Sequence, residues 1–444
     1  MSDIRVRFAP SPTGQVHIGN IRAAIFNWLY ARHVGGKFLL RVEDTDLERS
    51  TPEAIRALLD VMQWLHLDYD EPEVYQTHNV KRHLECAEQL VRDGFAYRAE
   101  KPTKDGKTGE VVIFRMPKEG VLAYDDLVKG HMEKKAADTQ DFVIVRSDGS
   151  PVFHLANVVD DIDQGITHVI RGDDHVENTF KHLELFKALG VTPPKYGHLP
   201  MIVNAQGKPY SKRDGAAFVG EFREQGYLPE ALFNYLLLLG WNPGDDREVL
   251  SRDEMVSLFT LEACHSSPAK FDIKKLQWMN GEYVRRLPRE TFKEECTSRI
   301  AAGGVDLAAF AAANPSFDWN LFLDQMQVRT KFLNDVPGNC LYFFRDDYEF
   351  DQKAVEKRLA KPGTKDLLLD LAARFEKLEP FTVQAGEEMV KGLAQGQGMG
   401  PWVHPIRVAV SGRQDGPGLF EMLVLLGREK TVKRLRDAAE KYAL

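Results

Sequence analysis

The loop between Phe8 and Ile21 most narrows what this chain can fold into. Ile4-Arg-Val-Arg-Phe8 alternates apolar and charged residues, the pattern of a short strand. Ile21, Ala24, Ile25, Trp28 and Leu29 recur at helical spacing. Between them lies Ala9-Pro-Ser-Pro-Thr-Gly-Gln-Val-His-Ile-Gly-Asn20. Pro10 and Pro12 fix φ and stiffen the turn. Gly14 and Gly19 have no Cβ, so a ligand can approach the backbone. The helix that follows turns free N–H groups and its positive dipole end toward the loop, where phosphate is stabilised. Taken alone, the segment reads equally as a nucleotide site or as a plain proline-stiffened turn carrying a surface histidine.

A second segment separates these readings. Gly207-Lys-Pro-Tyr-Ser-Lys-Arg-Asp-Gly215 gathers Lys208, Lys212 and Arg213 among small residues. A mobile cationic loop can neutralise the charge that builds up as pyrophosphate leaves. Such a cluster by itself is usually a solvated turn. The pairing of a His-Ile-Gly loop after the first strand with a downstream Ser-Lys-Arg loop resembles the paired motifs of class I aminoacyl-tRNA synthetases. The run Arg7-Phe-Ala-Pro-Ser-Pro-Thr-Gly14 and then Leu40-Arg-Val-Glu-Asp-Thr-Asp46 are similar to the opening of glutamyl-tRNA synthetases. So are His154-Leu-Ala-Asn-Val-Val-Asp-Asp161, Val169-Ile-Arg-Gly-Asp-Asp-His175 and Phe271-Asp-Ile-Lys-Lys-Leu-Gln-Trp-Met-Asn280. The related glutaminyl enzymes carry Glu-Pro-Asn where this chain has Ser11-Pro12-Thr13.

The resemblance implies a two-step reaction. Glutamate's α-carboxylate attacks the α-phosphate of ATP, accompanied by Mg2+, and the terminal adenosine of tRNA(Glu) then takes the glutamyl group. Little covalent work is asked of the protein beyond positioning and charge stabilisation. By the same resemblance His17, Gly19 and Lys212 are catalytic and contact ATP. Asn20 stands where many members carry histidine, and Pro209 stands at the first lysine position of the second loop. Asp174, His175 and Ile202 align near adenine or ribose. Arg7, Ser11, Glu43, Asn157 and Arg171 align with the glutamate pocket. Guanidinium groups suit carboxylates because they bind through two hydrogen bonds. Lys274 and Lys275 align with contacts to the inner stem of tRNA. Read without the family, Arg7 or Arg171 is more readily a structural ion pair and Asn157 a loop cap. Several relatives carry tyrosine at Phe153, so a hydroxyl able to reach the substrate is missing here.

Length and composition set further bounds. A chain of 444 residues is expected to form two to four domains. Its 43% hydrophobic and 28% charged content is ordinary for a globular protein. The apolar run Leu236–Leu239 is too short to cross a bilayer, and the start, Met1-Ser-Asp-Ile-Arg5, lacks an apolar signal region. A cytoplasmic protein without membrane partners, and a monomer, is expected. Cys86, Cys264, Cys296 and Cys340 form no Cys-x-x-Cys pair and read as reduced buried thiols. Some relatives hold zinc in a cysteine-rich module after a Gly-Phe-Ala-Tyr segment. Here Gly94–Gly109 contains no cysteine, so no metal site and no zinc is expected. A net charge of −8 does not announce nucleic-acid binding, but a local basic face is compatible with it. The candidates are Lys270–Arg289 and Arg428–Lys441.

Along the chain, residues 1–95 alternate strand and helix signals. Ser50-Thr-Pro-Glu53 has capping-box spacing ahead of a helix over Ala54–Leu65. Residues 96–135 break this rhythm and read as an insertion with a short strand at Val111–Phe114. The pattern resumes over 136–215 with strands Phe142–Val145 and Gly165–Ile170 and a helix from Val176. Two halves of a parallel sheet split by an insertion predict an α/β, Rossmann-like doubly wound fold, with ligands at the carboxyl ends of strands. From 216 the signal becomes helical, with Pro/Gly breaks at 337–338, 362–363 and 417–418. The resemblance implies an acceptor-binding insertion, a stem-contact domain at 216–320 and an anticodon-binding domain at 321–444. Neighbouring readings stay open: an enzyme that also charges tRNA(Gln); a truncated paralogue that attaches glutamate to a modified tRNA base, against which residues 320–444 argue; a small-molecule nucleotidyltransferase, which has no use for the long helical half; and a non-catalytic tRNA-binding module.

Overall fold

The alternating stretch at the start of the chain forms β1 (Arg5–Phe8), and the apolar run beyond the first helix forms β2 (Lys37–Val42). In this computed structural model, which describes residues 3–46, 49–102, 108–396 and 398–444, the two strands pair in parallel, Arg7 beside Leu39 and Phe8 beside Leu40. β2 pairs in parallel with β3 (Val74–Tyr75). From Phe38 to Val42 every residue of β2 is buried, as expected of a parallel strand covered on both faces.

The connection from β1 to β2 is α1 (Ile18–Val34), buried on most of its surface. It ends at Gly35, whose φ of 65° is the left-handed cap that glycine adopts without penalty. α2 (Pro52–Trp64) starts one residue later than the capping-box spacing suggests. Thr51, not Ser50, accepts the Ala54 N–H, because Pro52 with its fixed φ suits the first helical position. α3 (Val80–Arg92) leads into the insertion.

There the sequence reading needs a correction. β4 (Ala96–Pro102) and β5 (Thr108–Phe114) pair antiparallel, and β5 also pairs antiparallel with β8 (Phe142–Val145). The strand expected to resume the parallel pattern thus belongs to the inserted sheet, its Phe142 and Ile144 packing with Phe114 and Leu155 in one apolar cluster. Part of the cysteine-free Gly94–Gly109 stretch, residues 103–107, lies outside the described residues. Between β5 and β8 runs a hairpin of β6 (Val121–Asp126) and β7 (Gly130–Lys135). Its turn docks by Leu127 N–H donating to Tyr196 O over 2.8 Å.

α4 (Phe153–Asp163), β9 (His168–Gly172), α5 (Val176–Ala188) and β10 (Lys195–Leu199) restore the β/α alternation. β9 and β10 are parallel, and Thr167 N–H donates to Arg5 O at 3.0 Å, joining this pair to the edge of β1. The strands therefore lie in the order β3-β2-β1-β9-β10, the doubly wound arrangement. β11 (Ile202–Val203) pairs with β12 (Ala269–Lys270), so a short strand falls inside the region from 216 that was expected to be helical. Helices α6 (Val219–Glu224), α7 (Pro229–Leu238) and α8 (Arg252–Leu258) complete this first compact unit, which runs to Met279.

The second unit begins at Asn280, inside the segment 216–320 expected to form one domain. Among its described residues the regular elements are all helices. Each expected Pro/Gly break falls at a helix start: Pro337 in the first turn of Val336–Phe344, Gly363 before Thr364–Lys377, and Gly418 before Leu419–Leu426. Part of the basic tail is used internally. Buried Arg434 donates to Val410 O and Asp346, Arg428 to Leu378 O, and Arg436 pairs with Glu376. Cys86, Cys296 and Cys340 are buried, Cys264 is partly buried, and none is in a disulfide.

Candidate active site

The carboxyl ends of β1, β2 and β9, the first loop and the start of α4 enclose a cavity of about 630 Å³. Arg7, Ser11, His17, Gly19, Glu43, Asn157, Arg171, Asp174, His175 and Ile202 all line it, as do the departures Phe153 and Pro209. These residues come from segments far apart in sequence, most of them near the carboxyl ends of strands or in the first turns of helices. Lys212 does not line this cavity. It borders a neighbouring depression with Gly215 and Glu221, its Nζ 4.6 Å from the centre of the Phe218 ring. Phe218 in turn packs edge-on against His17 at 5.8 Å. Lys274 and Lys275 lie elsewhere, at the start of α9 (Ile273–Arg286), and Lys275 Nζ is 2.6 Å from Glu248.

His17 caps α1. Its Nδ1 accepts the Gly19 N–H at 3.0 Å, so the neutral ring carries its proton on Nε2. Burial lowers its pKa, against the opposing pull of the Tyr210 carbonyl and Glu221. A Cβ at Gly19 would stand 3.2 Å from His17 Nδ1, a tight approach that would press on the capping imidazole.

One wall is a buried ion network that the sequence did not announce. Arg41 sits in an otherwise apolar strand with 0% exposure and therefore requires partners. Its Nη1 lies 2.6 Å from Asp161 Oδ1 and its Nη2 3.3 Å from Glu43 Oε1. Arg7 Nε donates to the same Asp161 oxygen at 3.0 Å. Burial alone would raise the Asp161 pKa, but Arg41 and Arg7 hold it below the ordinary value. Asp160 beside it accepts from Gln76, Asn79 and His83. Glu43 is also buried, and burial outweighs Arg41 and Arg7 to push its carboxyl above the usual range. Its Oε1 accepts from Asn157 Nδ2 at 2.6 Å, while Asn157 Oδ1 has no partner among the described residues. Glu43 and the bare Asn157 oxygen make an acceptor corner suited to a cation.

The opposite corner is positive. Arg171 is 7% exposed, and among the described residues no carboxylate lies within ion-pair distance of it. Its hydrogen bonds go to Thr179 Oγ1 at 2.7 Å, His198 Nε2 at 3.2 Å and the His175 carbonyl at 3.3 Å. Burial lowers its pKa. A desolvated cation satisfied only by neutral groups leaves most of its attraction for an anion in the cavity.

The model of class I tRNA synthetases (E and Q), catalytic domain, matches residues 3–108 and 101–278, and that of an anticodon binding domain matches 277–439. The chain belongs to the class I glutamate and glutamine tRNA synthetase family. It is similar to glutamate–tRNA ligase 1 of Caldanaerobacter subterraneus subsp. tengcongensis, at 37% identity over 476 aligned positions covering 99% of this chain and 98% of that one. To glutamate–tRNA ligase 1 of Alkalilimnicola ehrlichii the identity is 40% over 471 positions, again 99% and 98%. The fold matches that of the solved glutamate tRNA ligase of Elizabethkingia meningosepticum in complex with its amino acid, with a TM-score of 0.86 and 28% identity over 99% of this chain and 100% of that one.

As a class I synthetase the protein is an aminoacyl-tRNA ligase, and enzymes of this class take ATP as substrate. Among the described residues there is no cluster of three His, Cys, Asp or Glu side chains arranged for a metal, and no helix long and apolar enough to cross a membrane. Sequence reasoning missed Arg41, Asp160 and Asp161 as parts of the synthetase site, although an arginine within an apolar strand and an Asp-Asp pair closing an apolar helix were visible signals. It also missed Arg22. This buried cavity residue donates to Leu239 O at 2.6 Å and to Pro200 O, and burial lowers its pKa to about 10.

Proposed function

We propose that this chain is a glutamate–tRNA ligase that joins L-glutamate to the 3′ end of tRNA(Glu) at the expense of ATP, releasing AMP and diphosphate. The observation that carries the substrate assignment is the cavity's charge pattern. A buried guanidinium without a carboxylate partner, Arg171, shares one chamber with an acceptor corner made by Glu43 and Asn157. Glutamate bears a carboxylate at one end and an ammonium at the other, and this chamber complements both.

In this reading Arg171 and Arg7 take the side-chain carboxylate. Glu43, with Asn157 Oδ1 and Ser11, takes the ammonium. The α-carboxylate is left facing the first loop, where it attacks the α-phosphate of ATP. The P–O bond to the diphosphate breaks and glutamyl-adenylate forms. His17 Nε2–H and the start of α1 are placed for the phosphates. Asp174, His175 and Ile202 border the end that takes the nucleoside, and Lys212 meets the departing diphosphate. Mg2+ enters with the nucleotide as part of the substrate, and zinc plays no part. A ribose hydroxyl of the terminal adenosine then attacks the activated carbonyl and displaces AMP.

The insertion at 96–135 receives the acceptor end of tRNA, the region 216–320 with Lys274 and Lys275 meets the stem, and 321–444 reads the anticodon. The enzyme works as a cytoplasmic monomer. Charging assays with purified tRNA(Glu) and tRNA(Gln), each with labelled glutamate or glutamine, test the reading. Glutamylation of tRNA(Glu) is expected. Preference for glutamine, or ATP consumption without any charging, overturns it. Charging of tRNA(Gln) with glutamate identifies the broader enzyme. ATP–pyrophosphate exchange in the absence of tRNA counts against the assignment.

A further inference from the structure

The groups behind Arg171 form a chain that ends in the inserted hairpin. His198, on β10, is fully buried. Arg171 Nε can only donate, so His198 Nε2, 3.2 Å away, must accept. The imidazole proton therefore sits on Nδ1, which donates to Asp126 Oδ2 at 2.5 Å. Asp126 is the last residue of β6. Its other oxygen accepts the N–H groups of Val128, Lys129 and His198 at 2.8–3.1 Å, so the carboxylate is fixed by the hairpin turn. Tyr196 stacks on the imidazole with its plane 4° away from parallel. The same turn sends Lys129 Nζ to Asp173, another cavity residue, at 3.0 Å.

We infer that Asp126 and His198 are positioning residues for Arg171, so that the turn of the inserted hairpin sets how tightly the chamber holds the substrate's side-chain carboxylate. The inference rests on the assignment of Arg171 to that carboxylate. Asp126 fixes the tautomer of His198, and the tautomer decides whether Arg171 meets an acceptor or a donor. With the proton on Nε2 instead, two N–H groups would face each other and the guanidinium would turn away. Protonation of His198 would have the same effect, and burial together with the nearby Arg171 charge opposes it. The negative charge of Asp126 lies one residue behind the guanidinium and leaves its front for the ligand. Any displacement of the hairpin is thus felt in the amino-acid pocket.

The test is a split of Michaelis constants in the tRNA charging reaction. His198→Asn keeps a donor for Asp126 but withdraws the acceptor from Arg171. It is expected to raise the glutamate KM about tenfold or more, leaving the ATP KM within about twofold. His198→Gln returns an acceptor to the Nε2 position and should recover the glutamate KM to within about threefold of the parent. Asp126→Asn keeps the shape but removes the charge, and should raise the glutamate KM by about three- to tenfold. If His198→Asn leaves the glutamate KM unchanged while Arg171→Met raises it, the inference falls and the pocket assignment stands. If Arg171→Met leaves it unchanged, both fall. If both His198 variants raise the two KM values together and lower the Tm, the role is structural and the inference falls.

Discussion

Arg41 Nη1 lies 2.6 Å from Asp161 Oδ1, and neither side chain reaches solvent. Arg7 shares the same carboxylate, so this buried anion is common to two buried cations on adjacent strands, with Glu43 a further partner of Arg41. Asp161→Asn would leave both guanidinium groups short of charge in a dry wall. Breaking a buried pair by removing one member costs about 3–5 kcal/mol. A loss of that order is expected in denaturant unfolding followed by a probe in the first unit. The acid limb gives the sign. Asp161 has its pKa below the ordinary 3.8, so its contribution is present above that value and is lost as pH falls through the depressed one. The stability gap between parent and Asp161→Asn should therefore be full at pH 7 and close at pH values well below 3.8. A gap that persists unchanged into strong acid contradicts the assignment.

Glu43 shifts the other way. Its carboxyl takes up a proton at a higher pH than a free glutamate side chain, because burial outweighs the two nearby arginines. The acceptor corner for the substrate ammonium therefore loses its charge before the substrate's own carboxylate, with a pKa of about 4.3, titrates. The glutamate KM should climb as pH is lowered from neutrality into the acid range while the ATP KM stays level. In Glu43→Gln the glutamate KM should be high at every pH and nearly flat over the same interval. Steady-state kinetics between pH 5 and 8 decide this, and a variant that keeps the parent's pH profile excludes Glu43 as the source.

The sheet and the cavity wall differed in how far they could be read in advance. β1, α1 and β2 were legible because their periods are local: alternation, then helical spacing, then an apolar run. Phe142–Val145 was assigned to the wrong sheet because an apolar run states burial and not the partner it pairs with. The residues that line the cavity were recognised by their motifs, but the ion network behind them was not. Arg41 and Asp161 are far apart in sequence, and their pairing arises only once β2 and α4 pack together. Lys212 carries the cluster's charge, yet its conformation outside the chamber is a property of the loop's fold that no run of residues expresses.

Phe153 lines the chamber with its ring 5.7 Å from those of His175 and His182. A tyrosine there would add one hydroxyl without altering the packing of the ring. A hydrogen bond to a charged group contributes about 1.5–3 kcal/mol. Phe153→Tyr should accordingly lower the glutamate KM by about tenfold or more, with little change in the ATP KM. A rise in the glutamate KM would show that the hydroxyl is a burden in this pocket and that phenylalanine is fitted to it.

Lys212 makes the sharpest kinetic prediction, because it rests outside the cavity it is proposed to serve. Its visible contact is with the face of Phe218, and a partly exposed cation–π contact contributes only about 0.5–1 kcal/mol. Release of the lysine side chain from that ring is therefore cheap compared with what a cation offers to a departing diphosphate. Removing one such preorganised charge or donor typically slows the chemical step by about 10²–10³-fold. Lys212→Met should slow adenylate formation by that factor in single-turnover measurements with tRNA present. The glutamate KM should stay within about threefold of the parent, since the residue does not border the amino-acid chamber. If Lys212→Met instead weakens glutamate binding and spares the chemical step, the lysine belongs to the amino-acid chamber and its role in diphosphate departure is lost.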